Sequence, residues 1–218
     1  MKNILKKIRK IRKRAAEKTL EVIIVFSIIA LSISCNSPGS ESNDSVPAVE
    51  ESGSEIHGGS PANVTWSECD QQIGSHPCDF SFIDQYGDAF TLYDNYGKVI
   101  VLDFSTMWCG VCQHLAVNVE SYQEKYKDHN FLWVTILVDD AAGEEVDRSD
   151  IVSWATTYGI QTSPVLAGNR SIIDSTAETG YPISGWPTFV VIDRDMKIAN
   201  GIIGWSESTV LGWVESEL

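Results

Sequence analysis

Hydrophobic positions along the chain fall into blocks whose periods predict alternating strands and helices. Val99-Ile100-Val101-Leu102-Asp103-Phe104 is too short for a helix and rich in β-branched residues, so residues 98–104 read as a buried parallel strand. Leu115, Val119, Tyr122 and Tyr126 then recur at i, i+4, i+7 and i+11, the period of a helix starting near Cys109. Lys125 and Lys127 stand near its end, where positive charge suits the helix dipole. Phe131 to Val138 forms a second strong strand. Ile151, Trp154 and Tyr158 mark a second helix, and Pro164-Val165-Leu166 a short strand. Residues 188–193 and 197–203 read as two strands joined by the tight turn Asp193-Arg194-Asp195-Met196, with a terminal helix from about Ser206. This β-α-β order followed by a hairpin and a helix predicts an α/β fold with a mixed central sheet and helices on both faces.

The chemistry stands at the first strand-to-helix junction, in Trp108-Cys109-Gly110-Val111-Cys112. Two cysteines separated by two residues can close and open a disulfide without refolding the chain. A cysteine attacks as its thiolate, and the unpaired N–H groups of a helix's first turn stabilise that species. Half of a zinc site is the competing reading, with Cys69, His76 and Cys78 as the available partners. Their spacing is not that of a zinc knuckle, and a strand-to-helix junction is a poor setting for one.

The segment Asp103-Phe104-Ser105-Thr106-Met107-Trp108-Cys109-Gly110-Val111-Cys112 resembles the active-site strand and helix of the thioredoxin superfamily. Gly185-Trp186-Pro187-Thr188, followed by the apolar Phe189-Val190-Val191-Ile192-Asp193, resembles the cis-proline loop of the same fold. Upstream, Phe80 to Asp84 and Tyr86 to Leu92 resemble the N-terminal hairpin of the extracytoplasmic TlpA-like and ResA-like members, an AhpC/TSA-related branch. The helix and strand between 151 and 166 fit that branch better than a minimal thioredoxin. The resemblance runs from about residue 78 to the C-terminus. It implies a thioredoxin-like three-layer fold with an N-terminal hairpin extension and a central helix-strand insertion, and a protein thiol-disulfide oxidoreductase without a cofactor. The direction of electron flow stays open.

The resemblance also implies roles. Cys109 is the nucleophile and Cys112 the resolving thiol. Asp103 matches the buried acid that helps move the proton of the second cysteine, with a solvent-facing or capping Asp as the alternative because strand register decides its face. Pro187 matches the cis-proline beside the disulfide. Trp108, Gly110, Val111, Trp186 and Thr188 fall where clients bind. Trp108 would shield the disulfide, with plain core packing as its alternative. The Pro-x-x-x-Thr-x-x-Cys pattern of peroxiredoxins is absent around Cys109. His114 raises a second function, a copper-binding or copper-delivery module with Cys109, Cys112 and His114 as ligands, since Cu(I) favours soft thiolates.

Composition then partitions the chain. The 218 residues are 43% hydrophobic with seven Trp, enough for one core plus extensions. Nine of the 16 Lys and Arg fall within residues 1–18, ahead of a 13-residue apolar stretch from Val22 to Ser34 that is short for a membrane-spanning helix. Residues 1–34 therefore read as a signal peptide. Ser32-Ile33-Ser34-Cys35 resembles a bacterial lipobox, which makes Cys35 the lipidated first residue of a mature protein. Position 32 departs from that pattern in being Ser rather than Leu, and the basic region is long with Glu17 and Glu21 in or beside it, so an uncleaved anchor and a plain cleaved signal are the alternatives. Residues 35–63, rich in Ser, Gly, Pro, Asn and Glu, read as a lipid-anchored acidic linker, and 64–218 as the thioredoxin-like domain. The expected location is extracytoplasmic, facing a periplasm or the cell surface, with a membrane or periplasmic redox partner.

Residues 35–218 carry 7 basic and 28 acidic side chains, a formal −21, and no Lys or Arg occurs between Cys35 and Gly97. Nucleic acid is thereby disfavoured as a partner. The acidic run Asp139, Asp140, Glu144, Glu145, Asp147, Asp150 lacks EF-hand ligand order and reads as a solvated loop leading into a helix. Cys69 and Cys78 remain. In an oxidising compartment they read as a structural disulfide pinning the segment before the hairpin, with a second redox couple as the alternative.

Overall fold

In the computed structural model the described residues are 63–177 and 180–218. The signal region, Cys35 and the linker up to residue 62 lie outside them.

The described chain opens with a short antiparallel hairpin, β1 (Ser81–Ile83) and β2 (Ala89–Thr91). One carboxylate oxygen builds its turn: Asp84 Oδ1 accepts from the N–H groups of Tyr86, Gly87 and Asp88 at 2.8, 2.9 and 3.0 Å. Gly87 takes φ +92 there, a conformation that L side chains rarely adopt.

Five strands form the central sheet: β3 (Val99–Ser105), β4 (Phe131–Leu137), β5 (Val165–Ala167), β6 (Thr188–Ile192) and β7 (Ile198–Ile203). Their order is β5-β4-β3-β6-β7, with β3, β4 and β5 parallel and β6 and β7 antiparallel to their neighbours. Every residue of β3 and β4 is buried, as their unbroken apolar runs require for strands covered on both faces. Three helices connect or follow the strands: α1 (Gly110–Tyr126), α2 (Arg148–Tyr158) and α3 (Glu207–Glu217). Asp147 starts α2 with a capping box, accepting from Ser149 and Asp150 while the Asp150 side chain returns to its N–H.

The period-2 alternation of β3 divides two cores. Val99 and Val101 pack in a cluster with Leu115 and Val119 of α1, Ile151 and Trp154 of α2, and Val210 and Val214 of α3. Ile100, Leu102 and Phe104 pack in the other cluster, with Phe80 and Phe90 of the hairpin, Tyr93, Ile172 and Tyr181. The expected layers on both faces are thus unequal. The three α-helices cover one face, whereas the hairpin and two single-turn 3-10 helices at Tyr93–Asn95 and Arg170–Ile173 cover the other.

The segment before the hairpin folds back along the open edge of β7. Gly74 N–H donates to Ile198 O at 2.8 Å, and Ile198 N–H donates to Ser75 O at 2.9 Å. Cys69 and Cys78 are disulfide-bonded across this loop. Within it His76 stacks on Trp66, ring centroids 3.8 Å apart, and Trp66 Nε1 donates to the Tyr93 hydroxyl at 3.0 Å.

Candidate active site

Strand β3 carries the chain out of the core at Ser105, and four residues later Cys109 becomes the N-cap of α1. Its backbone is extended, φ −80 and ψ 110, and its Sγ accepts from Cys112 N–H at 3.2 Å. The two cysteines are disulfide-bonded, their Cα atoms 5.2 Å apart. Exposure separates them: Cys109 keeps 7% of its surface and Cys112 1%. Cys109 is thus the less buried of the two, and its sulfur sits where the helix terminus favours negative charge.

The turn before Cys109 is fastened from two directions. Gln113 Nε2, one turn into α1, donates to Met107 O at 2.6 Å, and Met107 N–H donates to Asp139 O at 2.9 Å. Trp108 itself is 48% exposed, so plain core packing does not describe it. Its indole N–H points at Asp139 Oδ2, 3.4 Å away. Gly110 and Val111 are also exposed, and a Cβ added at Gly110 would meet nothing within 4 Å.

Asp103 lies on the face of β3 shared by Val99 and Val101, whose cluster includes both cysteines. It is 2% exposed, which removes the solvent-facing alternative. Burial pushes its carboxyl up to about 6 from the ordinary 3.8, against the opposing pull of nearby donors. Ser105 Oγ donates to Oδ1 at 2.7 Å, and Thr135 Oγ1 to Oδ2 at 3.3 Å. The Trp133 indole, whose N–H completes no full hydrogen bond, lies close enough to favour the charged form as well.

Trp186 and Pro187 are joined by a cis peptide just ahead of β6. Trp186 is half-buried and packs against both core clusters. Thr188 is buried and its hydroxyl donates to Gly185 O at 2.7 Å, fastening the loop.

The acidic run is not uniformly solvated. Asp139 is buried and ion-paired, 2.7 Å from Arg170 Nη2, and Asp140 Oδ1 accepts from Ala142 and Glu144 N–H to close a turn. The sequence pattern held no signal for Arg170, 31 positions further on and outside every periodic block. His114 is exposed on α1. Among the described residues no three His, Cys, Asp or Glu side chains are grouped to hold a metal ion, so nothing there supports the copper reading.

Sheet order, strand-to-helix cysteine pair and cis-proline loop together define a thioredoxin-like protein. Residues 73–200 match the AhpC/TSA family, and the chain belongs to that family. It is 29% identical over 135 residues to the thiol-disulfide oxidoreductase ResA of Bacillus thuringiensis strain Al Hakam, covering 61% of this chain and 70% of that one. A thioredoxin-family thiol:disulfide interchange protein from Chlorobium tepidum TLS superposes with TM-score 0.54 at 22% identity, covering 68% of this chain and 99% of its own. The exposed lipoprotein thioredoxin Etrx1 of Streptococcus pneumoniae strain TIGR4 does so with TM-score 0.54 at 22% identity, covering 65% and 100%. These two solved structures share the fold.

Proposed function

We propose that this chain is an extracytoplasmic protein thiol-disulfide oxidoreductase that works through Cys109 and Cys112. The observation that carries the residue assignment is the placement of Cys109 Sγ at the N-terminus of α1, bonded to Cys112 and accepting its N–H at 3.2 Å. The relationship to ResA supports the reaction class.

In the reducing direction the Cys109 thiolate attacks one sulfur of a client disulfide. A Cys109–client disulfide forms and the other client sulfur leaves as a thiolate, which takes up a proton. Cys112 then gives up its proton, attacks Cys109 Sγ and closes the Cys109–Cys112 disulfide, and the second client thiol departs. Two electrons pass from the pair to the client, and the same steps reversed oxidise a client dithiol. Asp103 is the acid assigned to the Cys112 proton: buried on the cysteine side of the sheet and poised near 6, it can exchange a proton around neutrality. Trp108, Gly110, Val111 and Trp186 form the surface offered to a client, with Pro187 behind it.

Anchoring through Cys35 belongs to the same proposal. Its support is the basic segment, the short apolar stretch and the Ser32-Ile33-Ser34-Cys35 sequence. Stoichiometric mixing of the pre-reduced protein with a protein disulfide tests the activity: wild type is expected to exchange and Cys109→Ser to be inert. Exchange undiminished in Cys109→Ser rules out the assignment. For the anchor, Cys35→Ala is expected to release the protein from the membrane fraction, and retention there argues against lipidation at that residue.

A further inference from the structure

We infer that Asp139, held by Arg170, is a positioning residue for client recognition, fixing Trp108 in the orientation that a protein disulfide meets. This deepens the function proposed above and rests on it.

Trp108 precedes the nucleophile and half of its surface is open to solvent. A large indole in such a place would ordinarily sample several rotamers, and ordering it on binding costs free energy. Here it is tethered before any client arrives. Asp139 reaches the Trp108 segment twice, with its main-chain oxygen to Met107 N–H at 2.9 Å and with Oδ2 to the Trp108 indole N–H at 3.4 Å.

The side chain making this contact keeps only 9% of its surface, and a polar group so buried calls for a partner. Arg170 supplies one. Its Nη2 lies 2.7 Å from Asp139 Oδ1 and donates to Gly143 O at 3.0 Å, closing the guanidinium onto the loop that carries Asp139. Arg170 opens the 3-10 helix Arg170–Ile173, which Asn169 caps through its side-chain oxygen. The pair therefore ties the turn before Cys109 to the long connection between β5 and β6, whose far end is the Trp186–Pro187 loop. The Trp108 wall of the client surface is thus braced through one buried carboxylate, and neither Asp139 nor Arg170 is bonded to the reacting sulfurs.

A device of this kind affects large clients and spares small ones. A small disulfide needs only the Cys109 sulfur, whereas a polypeptide must also seat against Trp108. The test uses the pre-reduced full-length protein in single-turnover mixing with two oxidants, dithiobis(nitrobenzoate) and insulin, for wild type, Asp139→Ala, Asp139→Asn and Arg170→Ala. The NMR signal of the Trp108 indole N–H, assigned with Trp108→Phe, and the melting temperature are followed alongside. Asp139→Ala is expected to slow insulin about tenfold through weaker binding, to leave dithiobis(nitrobenzoate) within about twofold, and to shift the indole signal. Asp139→Asn, which keeps an acceptor oxygen, is expected to recover most of the insulin rate. Arg170→Ala, altered at a side chain 66% exposed, is expected to reproduce part of the loss, with the melting temperature separating this from a general loss of stability. Equal slowing of both oxidants in Arg170→Ala, or unchanged insulin rates in every variant, overturns the inference. If wild type reacts with neither oxidant, the oxidoreductase reading itself fails and this inference with it.

Discussion

The sulfur of Cys109 stands 3.2 Å from the backbone nitrogen of Cys112 and accepts its hydrogen, at the mouth of a 17-residue helix. One cysteine is thereby the accessible cap of the helix while the other is sealed inside its first turn. On the proposed mechanism this asymmetry assigns the first attack to Cys109 and the resolving step to Cys112.

Serine variants should separate those duties. Cys109→Ser is expected to abolish exchange. Cys112→Ser is expected to retain the first attack and to accumulate a stable mixed disulfide with a client, visible by non-reducing electrophoresis and mass spectrometry. Accumulation on Cys109→Ser instead would reverse the assignment.

Asp103 should leave a pH signature in stability. Its carboxyl titrates at about 6 in the folded protein against 3.8 when free, so between those values the folded state holds a proton that the unfolded chain has released. Stability attributable to this group is complete below about pH 4, falls as pH rises to about 6, and stays low above, a loss on the order of 3 kcal/mol. Asp103→Asn is expected to flatten that descent, gaining stability over wild type at pH 8 and none at pH 4 in urea titrations. The same variant should slow the step in which Cys112 loses its proton.

Removing the second disulfide should cost stability and nothing else. Closing so short a loop contributes about 2 to 3 kcal/mol. The combined Cys69→Ser and Cys78→Ser variant is expected to melt at lower temperature with unchanged exchange rates. A fall in exchange at matched stability would instead make Cys69 and Cys78 a relay couple.

Much of the fold was legible because β3, β4 and α1 bury what their periods display. The unbroken apolar run of residues 99–104 is what a strand covered on both faces must have, and the cysteine pair follows it at once. Asp103 was legible as a candidate, but only register could decide its face, and the alternation Val99, Val101, Asp103 settles it. What the sequence hid lies in contacts between distant segments. Asp139 reads as one acid in an acidic loop, and nothing local reveals that Arg170 neutralises it or that the Trp108 indole leans on it. The bond from the Thr188 hydroxyl back to Gly185 O was hidden as well. The crossover helix α2 was visible by its apolar spacing and the hairpin by resemblance, whereas the single-turn helices that help cover the opposite face were not, since such short elements have too few residues to show a period.

The central claim, that Cys109 and Cys112 form one reversible redox couple, is tested most directly by equilibrating the protein across defined thiol-disulfide buffers. The alkylation of each cysteine is then counted by mass spectrometry. The account predicts a single two-electron transition in which Cys109 and Cys112 become alkylatable together, approached identically from the oxidised and the reduced side. Independent transitions at the two cysteines, or a Cys109–Cys112 pair that cannot be cycled, would contradict it.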